Sequence, residues 1–200
     1  MLEEQFKSSM INEDLIQNND FNDEEIKDGE YYNIEIKKCT FKNIQILNCN
    51  LEKMYFSEAS FENCDFSNSN FSNCFFSNVK FVNCKLIGCN LIENTFNNFY
   101  IDSCNCTYIN FAEGIFRESH LKYSNFTLGA FKECKKFQVD FEECKLVEAQ
   151  FYHTNLNGVD FSSSDINGIS IPMNELRGVI VTPIQAMMLS TLLGIKIKEG

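Results

Sequence analysis

The sequence predicts an all-β fold, a quadrilateral parallel β-helix of about eight coils that ends in a short C-terminal α-helix. Three observations carry that expectation. Every fifth residue from Phe21 to Val181 is apolar, with Lys136 the one exception, and sixteen of the twenty phenylalanines fall on this central position. Two residues before each centre runs a second lane of compact side chains, which holds nine of the ten cysteines among Ala, Ser, Val, Ile, Gly and Thr. The remaining three positions of each five are rich in Asn, Ser, Asp, Glu and Lys, and the phase never slips. Helices repeat every 3.6 residues and strands every 2.0, so neither produces a strict period of five. A chain that turns a corner every five residues does: four sides close a square of twenty, and successive coils stack at the ~4.8 Å spacing of parallel strands.

Taken in order, residues 1–18 precede the repeat. Leu2, Phe6, Met10 or Ile11, and Leu15 have helix-like spacing, and an extended strap would place them equally well. In either form the segment is expected to cap the first coil, whose open end exposes apolar residues. Residues 19–181 form the β-helix, with large centres filling the middle of the square and compact residues tucked near its corners. Lys136, in CKKFQVDF, is expected to lie on a local bulge that lets Phe137 enter the core while the lysine reaches solvent. Residues 182–200 change character. Thr182, Pro183 and Gln185 spell a capping box with proline at the first helical position, and Gly194 is placed to end the helix, giving a helix over about 183–193. IKIK (195–198) then alternates like a strand. Met187, Met188, Leu189, Leu192 and Leu193 cover more than one helical stripe, which implies burial against a second copy.

The motifs CDFSN (64–68), SNFSN (69–73), CKLIG (84–88), CNLIE (89–93) and SNFTL (124–128) resemble those of the pentapeptide-repeat family, whose members are right-handed quadrilateral β-helices; the resemblance spans roughly residues 19–181. The tail GVIVTPIQAMMLSTLLGIKI is similar to the C-terminal segment of the Qnr-type fluoroquinolone-resistance group, at Gly178, Val179, Gln185, Ala186, Leu192, Leu193, Gly194 and Ile195. That resemblance implies a homodimer formed through the C-terminal helix, with an interface at Gln185, Ala186, Leu189, Leu192, Leu193 and Ile195. It also implies a rod that mimics duplex DNA, binds DNA gyrase or topoisomerase IV and shields the enzyme from quinolones. Many plasmid-borne relatives interrupt their coils with two loops needed for protection, whereas this chain has no phase break and looks like the loopless members. The alternative is a general protein-interaction scaffold, or a protective factor against another toxin.

Because a coil has twenty residues, the face of any residue follows from its number. The face centred on Phe21, Phe41, Phe61, Phe81, Ile101, Leu121, Phe141 and Phe161 has a net charge of −5, and the face centred on Ile36, Phe56, Phe76, Phe96, Phe116, Lys136, Leu156 and Leu176 has +2. Glu62, Asp102, Asp140, Glu142, Glu143 and Asp160 on the acidic face are the expected partner-binding residues, since a one-sided acidic surface suits a basic groove. Duplex DNA of the same ~38 Å length would carry about 22 charges. The whole chain carries a net −11, so mimicry rests on rod shape plus a modest strip whose steering salt weakens.

The composition excludes other classes. No Gly-rich phosphate loop, CxxC or HExxH occurs, so the chain is expected to be non-enzymatic, without catalytic residues, metal or cofactor, and its acidity argues against nucleic-acid binding. Thiols stacked one coil apart, such as Cys64, Cys84 and Cys104, have poor geometry for disulfides and are read as packing. His120 and His153 fall in outward lanes and are expected to be solvated. The opening MLEEQFKSSM has neither a basic leader nor an apolar run, and no segment approaches the roughly 20 apolar residues of a membrane span. A soluble cytoplasmic protein with reduced thiols and no membrane contact is the expectation.

Overall fold

Equivalent residues twenty apart lie side by side along the chain. In the computed structural model, which describes residues 1–198, Phe21 pairs with Phe41, Phe41 with Phe61, Phe61 with Phe81, Phe81 with Ile101, Ile101 with Leu121 and Leu121 with Phe141, always in parallel. The result is a parallel β-solenoid. Most sides are three-residue strands or single pairs, but two adjacent sides merge into the longer strands Tyr55–Glu62, Phe75–Val82, Thr95–Asp102 and Ile115–Lys122. Isolated pairs extend the stacking as far as Asp160 and Ile180.

The corners explain why Asn fills the outward lanes. The residue two places after a centre has a left-handed backbone at almost every corner, for example Asn63 (φ 55°), Asn83 (φ 53°), Asn98 (φ 49°) and Gly88 (φ 65°). A β-carbon is disfavoured there, and Asn and Gly tolerate it best. The corner amides bond between coils, Asn83 donating to Asn63 (2.7 Å) and Asn98 to Asn78 (2.7 Å), and in the lane just before each centre Asn70 donates to Asn50 (2.7 Å), Asn90 to Asn70 (2.9 Å) and Asn110 to Asn90 (3.0 Å).

Inside the square, phenylalanines of successive coils stack face to face, as with Phe61 and Phe81 (centroids 4.5 Å apart, 11° between planes) and Phe131 and Phe151 (4.9 Å, 4°). Rings on neighbouring sides meet edge to face, as with Phe61 and Phe66 (5.3 Å, 84°). Both geometries satisfy the ring quadrupole. Phe99 occupies the compact lane and is still fully buried, wedged 4.7 Å from Phe96 and 5.6 Å from Phe76.

The compact lane is a column of hydrogen-bonding rungs as well as a filler. Its side chain accepts the amide of the coil before and donates to a carbonyl: Cys49 N–H donates to Ser69 Oγ (3.0 Å), which donates to Ile46 O (2.9 Å). Thr154 does the same between Cys134 N–H (3.0 Å) and Phe131 O (2.7 Å). Thiols repeat the pattern at sulfur distances, with Cys84 N–H to Cys104 Sγ at 3.2 Å and Cys84 Sγ to Phe61 O at 3.5 Å. All ten cysteines are free and buried. Asn94 breaks the pattern: its Oδ1 accepts from Cys74 N–H (2.6 Å), but its buried Nδ2 has no hydrogen-bond partner among the described residues. An orphaned buried donor costs about 1–3 kcal/mol. Asn94→Cys is therefore expected to raise the urea midpoint of unfolding, and an unchanged or lower midpoint would show that the amide is satisfied.

Both ends are closed by helices. α1 (Leu2–Asn12) lays Leu2 and Phe6 into the first coil, with the Phe6 ring 5.2 Å from Tyr31 and edge-on to it. Leu2 N–H donates to the Glu24 carboxylate (2.6 Å), so an acid in the compact lane anchors the positive end of the helix. α2 (Pro183–Ser190) starts with a reciprocal capping box, Gln185 N–H to Thr182 Oγ1 (3.2 Å) and Thr182 N–H to Gln185 Oε1 (2.8 Å). A 3₁₀ turn, Thr191–Leu193, continues it to Gly194, whose left-handed backbone (φ 73°) ends it. The strand expected over 195–198 does not form: past Gly194 the residues pair with no strand among the described residues and Ile195 and Ile197 are exposed, and four alternating residues make a strand only beside another. Residues 199–200 of the expected tail lie outside the described residues.

At Lys136 the expected bulge is present. The left-handed residue of that corner moves from position 138 to Lys136 (φ 47°), which turns Phe137 inward, 5.3 Å from Phe116 and perpendicular to it. Pairing resumes at Ser119 with Val139, so the phase is intact at Phe141.

Candidate interaction surfaces

On the acidic face, the twenty-residue stacking brings the expected residues into columns, where several meet bases. Glu62 pairs with Lys42 (3.4 Å), and Glu142 pairs with Lys122 (2.5 Å) while accepting from the Tyr123 hydroxyl (2.7 Å). Lys122 and then Tyr123 hold the Glu142 carboxyl below its ordinary range, while the same pairing pushes the Lys122 ammonium and the Tyr123 hydroxyl up. Asp140 pairs with His120 Nδ1 (3.0 Å). The others have neutral partners or none: Asp102 accepts from the Ser103 hydroxyl (2.8 Å) and Asp160 from Ser162 N–H (2.8 Å). The Ser162 side chain and amide lower the Asp160 pKa. The Glu143 carboxylate has no hydrogen-bond or ion-pair partner among the described residues. Exposed pairs of this kind are weak, so the face keeps its net charge but three of its six expected acids are already engaged.

His120 departs from expectation. It is only 28% exposed, stacked on Tyr100 at 4.8 Å and bonded to Asp140. The signal was in the numbering, since positions 100, 120 and 140 form one column. His153 is exposed, as expected.

At the tail, the six expected interface residues divide. Gln185 and Leu189 are buried against their own rod: Gln185 Nε2 donates to Phe161 O and Ser164 O, both at 2.8 Å, satisfying carbonyls that a further coil would have taken. They belong to the cap, because docking of α2 on the last coil turns that side of the helix inward. Ala186, Leu192, Leu193 and Ile195 remain exposed, and Ile180, Ile184, Met187 and Ile197 join them. Sequence reasoning missed Ile180 and Ile197, which lie outside the helix, and Ile184, which sits one turn before Met187 and Met188 on α2. These exposed apolar side chains all fall between residues 180 and 197. Among the described residues no helix is long and apolar enough to cross a membrane, and no group of three His, Cys, Asp or Glu side chains is arranged to hold a metal ion.

A five-residue repeat and a parallel solenoid of twenty-residue coils define a β-solenoid repeat protein. The chain belongs to the pentapeptide-repeat family: the description "Pentapeptide repeat region" matches residues 54–127 and "Pentapeptide repeats (8 copies)" matches residues 137–170. No curated protein matches it. Among solved structures it is similar to a trypsin-treated QnrB1, a plasmid-mediated fluoroquinolone resistance protein, at 18% identity over 92% of this chain and 99% of that one, with a TM-score of 0.48. It is also similar to HetL, a pentapeptide repeat protein involved in heterocyst differentiation regulation from the cyanobacterium Nostoc sp. strain PCC 7120, at 11% identity over 82% and 87% of the two chains (TM-score 0.33).

Proposed function

We propose that this protein is a non-enzymatic, rod-shaped dimer in the cytoplasm that binds DNA gyrase or topoisomerase IV through its acidic face, mimics duplex DNA there and protects the enzyme from quinolones. The observation that carries the reading is the Qnr-like tail ending a rod whose one face bears a net −5. A basic groove that holds duplex DNA would accept such a rod, with Asp102, Glu143 and Asp160 making the charge contacts and the paired Glu62, Asp140 and Glu142 exchanging partners. The test is gyrase supercoiling at rising ciprofloxacin, with and without the protein. Restored supercoiling is expected at low salt, weakening as salt rises. Absence of both rescue and direct binding would overturn the reading.

The pairing of Glu62, Asp140 and Glu142 favours a second reading, a general interaction scaffold or a protective factor against another toxin. Capture of a defined partner other than a topoisomerase would support it.

Dimerisation is separately testable. Leu192→Asp with Leu193→Asp places charges on exposed positions of the tail, so the rod stays folded while sedimentation shows a monomer. Leu189→Asp buries a charge in the cap and is expected to lower stability as well. A dimer that survives the Leu192/Leu193 pair would move the interface elsewhere.

A further inference from the structure

The displaced corner at Lys136 opens a groove of about 440 Å³ between the net-positive face and the acidic face. Its apolar floor is Phe137, Val139 and Val159, and its polar rim is Glu118, Gln138, Asn157 and Asp140, the last with its partner His120 beside it. In the coils before it, the corner column is closed by side-chain amides, with Asn98 donating to Asn78 (2.7 Å). Glu118 is next in that column, and residue 138 has left its regular conformation. Among the described residues the Glu118 carboxylate and the side-chain amides of Gln138 and Asn157 therefore have no hydrogen-bond or ion-pair partner. Asp140 has His120 as its one partner, and no lysine or arginine lines the groove.

An apolar floor beneath two carboxylates and two amide oxygens has a definite chemical preference. Anions are repelled, and a purely apolar group would leave the carboxylates without partners. A cation on an aliphatic stem satisfies both halves, its methylenes on the floor and its head at the rim. Arginine fits better than lysine, because a planar fork of donors can reach a carboxylate and an amide oxygen together. We propose that this groove receives an arginine side chain of the partner protein, serving as the fixed anchor at the densest part of the acidic face, near Asp140, Glu142, Glu143 and Asp160. The proposal rests on the reading of the rod as a protein-binding surface and adds to it a specific site.

The full-length, ¹⁵N-labelled protein is titrated with N-acetyl-arginine amide, and with N-acetyl-citrulline amide as the neutral isostere. Arginine is expected to give saturable shifts at the amides of 137–140 and 158–159 with a dissociation constant of roughly 1 mM, about −4 kcal/mol. Citrulline is expected to bind at least about tenfold more weakly. Glu118→Gln with Asp140→Asn changes only exposed side chains and should abolish saturation. Exchanging Lys136→Phe and Phe137→Lys rebuilds the regular corner and should close the groove to the ligand. Lack of saturable shifts with arginine, or equal binding of citrulline, overturns the proposal. Arginine binding without topoisomerase binding would sink the topoisomerase reading and leave the groove, while the reverse result would sink the groove alone.

Discussion

Phe96→Ala is expected to lower the free energy of unfolding by about 3–5 kcal/mol, at the upper end of what large-to-small core changes produce. Phe96 lies fully buried between Phe76 (5.4 Å) and Phe116 (4.6 Å), with Phe99 and Phe111 against its edges at 4.7 and 5.5 Å. The cost depends on how far the surroundings can relax into the vacated space. Here they relax little, because backbone pairing on both sides of Phe96, to Phe76 and to Phe116, fixes the distance between coils. A stack in which each coil touches only its neighbours also loses coupling between its halves when a middle coil is weakened. Urea unfolding followed by circular dichroism should therefore show a lower midpoint and a broadened or split transition. The matched control is Phe75→Ala, whose ring stacks on Tyr55 (4.6 Å) on the outer surface and whose loss should stay within about 1 kcal/mol. Equal losses at the two sites would contradict a core made of stacked centres.

The second large effect is alkaline unfolding driven by the cysteine rungs. Burial pushes the thiols of Cys74 and Cys134 up to about 12 and that of Cys144 to about 11, from 9.0. Cys84 also reaches about 12, chiefly through its hydrogen bond with Cys104. In the unfolded chain these thiols ionise near 9.0, while in the folded rod they hold their protons, so above that pH the unfolded state binds fewer protons and stability falls as pH rises. The contribution is fully present below pH 9.0 and is lost between there and about 12. Each thiol removes up to about 1.4 kcal/mol per pH unit within that window. Several acting together should unfold the rod cooperatively in the window, as seen by thermal melts at successive pH values. Cys74→Ser, Cys134→Ser and Cys144→Ser together keep the rungs, as Ser69 and Thr154 already do, and should flatten the alkaline limb. An unchanged limb in the triple variant would assign it to other groups, Tyr31 among them, whose hydroxyl burial and Glu3 push up to about 12.

Most of the architecture was legible because the fold is close to one-dimensional. Every residue has neighbours at a fixed offset of twenty, so the period of five gave at once the coil, the faces, the core centres and the exception at Lys136. The same offset would have revealed the column of Tyr100, His120 and Asp140, had the histidine been read along the stack and not along the chain. Hydrogen bonding was less legible. The compact lane shows only a size class, and that Cys, Ser and Thr serve there as rungs while Asn94 leaves a donor stranded depends on which amide points at which side chain. The tail was the least legible. Its capping box was plain in Thr182 and Gln185, but which side of α2 faces the rod depends on where the last coil leaves unpaired carbonyls.

The sequence by itself therefore determined the solenoid, its coil length, the sidedness of its charge and the positions of both caps, because each follows from a periodic pattern or a local signal. Only the tertiary structure decided that Gln185 and Leu189 face inward, that three of the six strip acids are paired, and that the corner at Lys136 opens a groove. Those outcomes turn on distances between coils and on the direction of individual polar atoms, which a one-dimensional pattern does not encode.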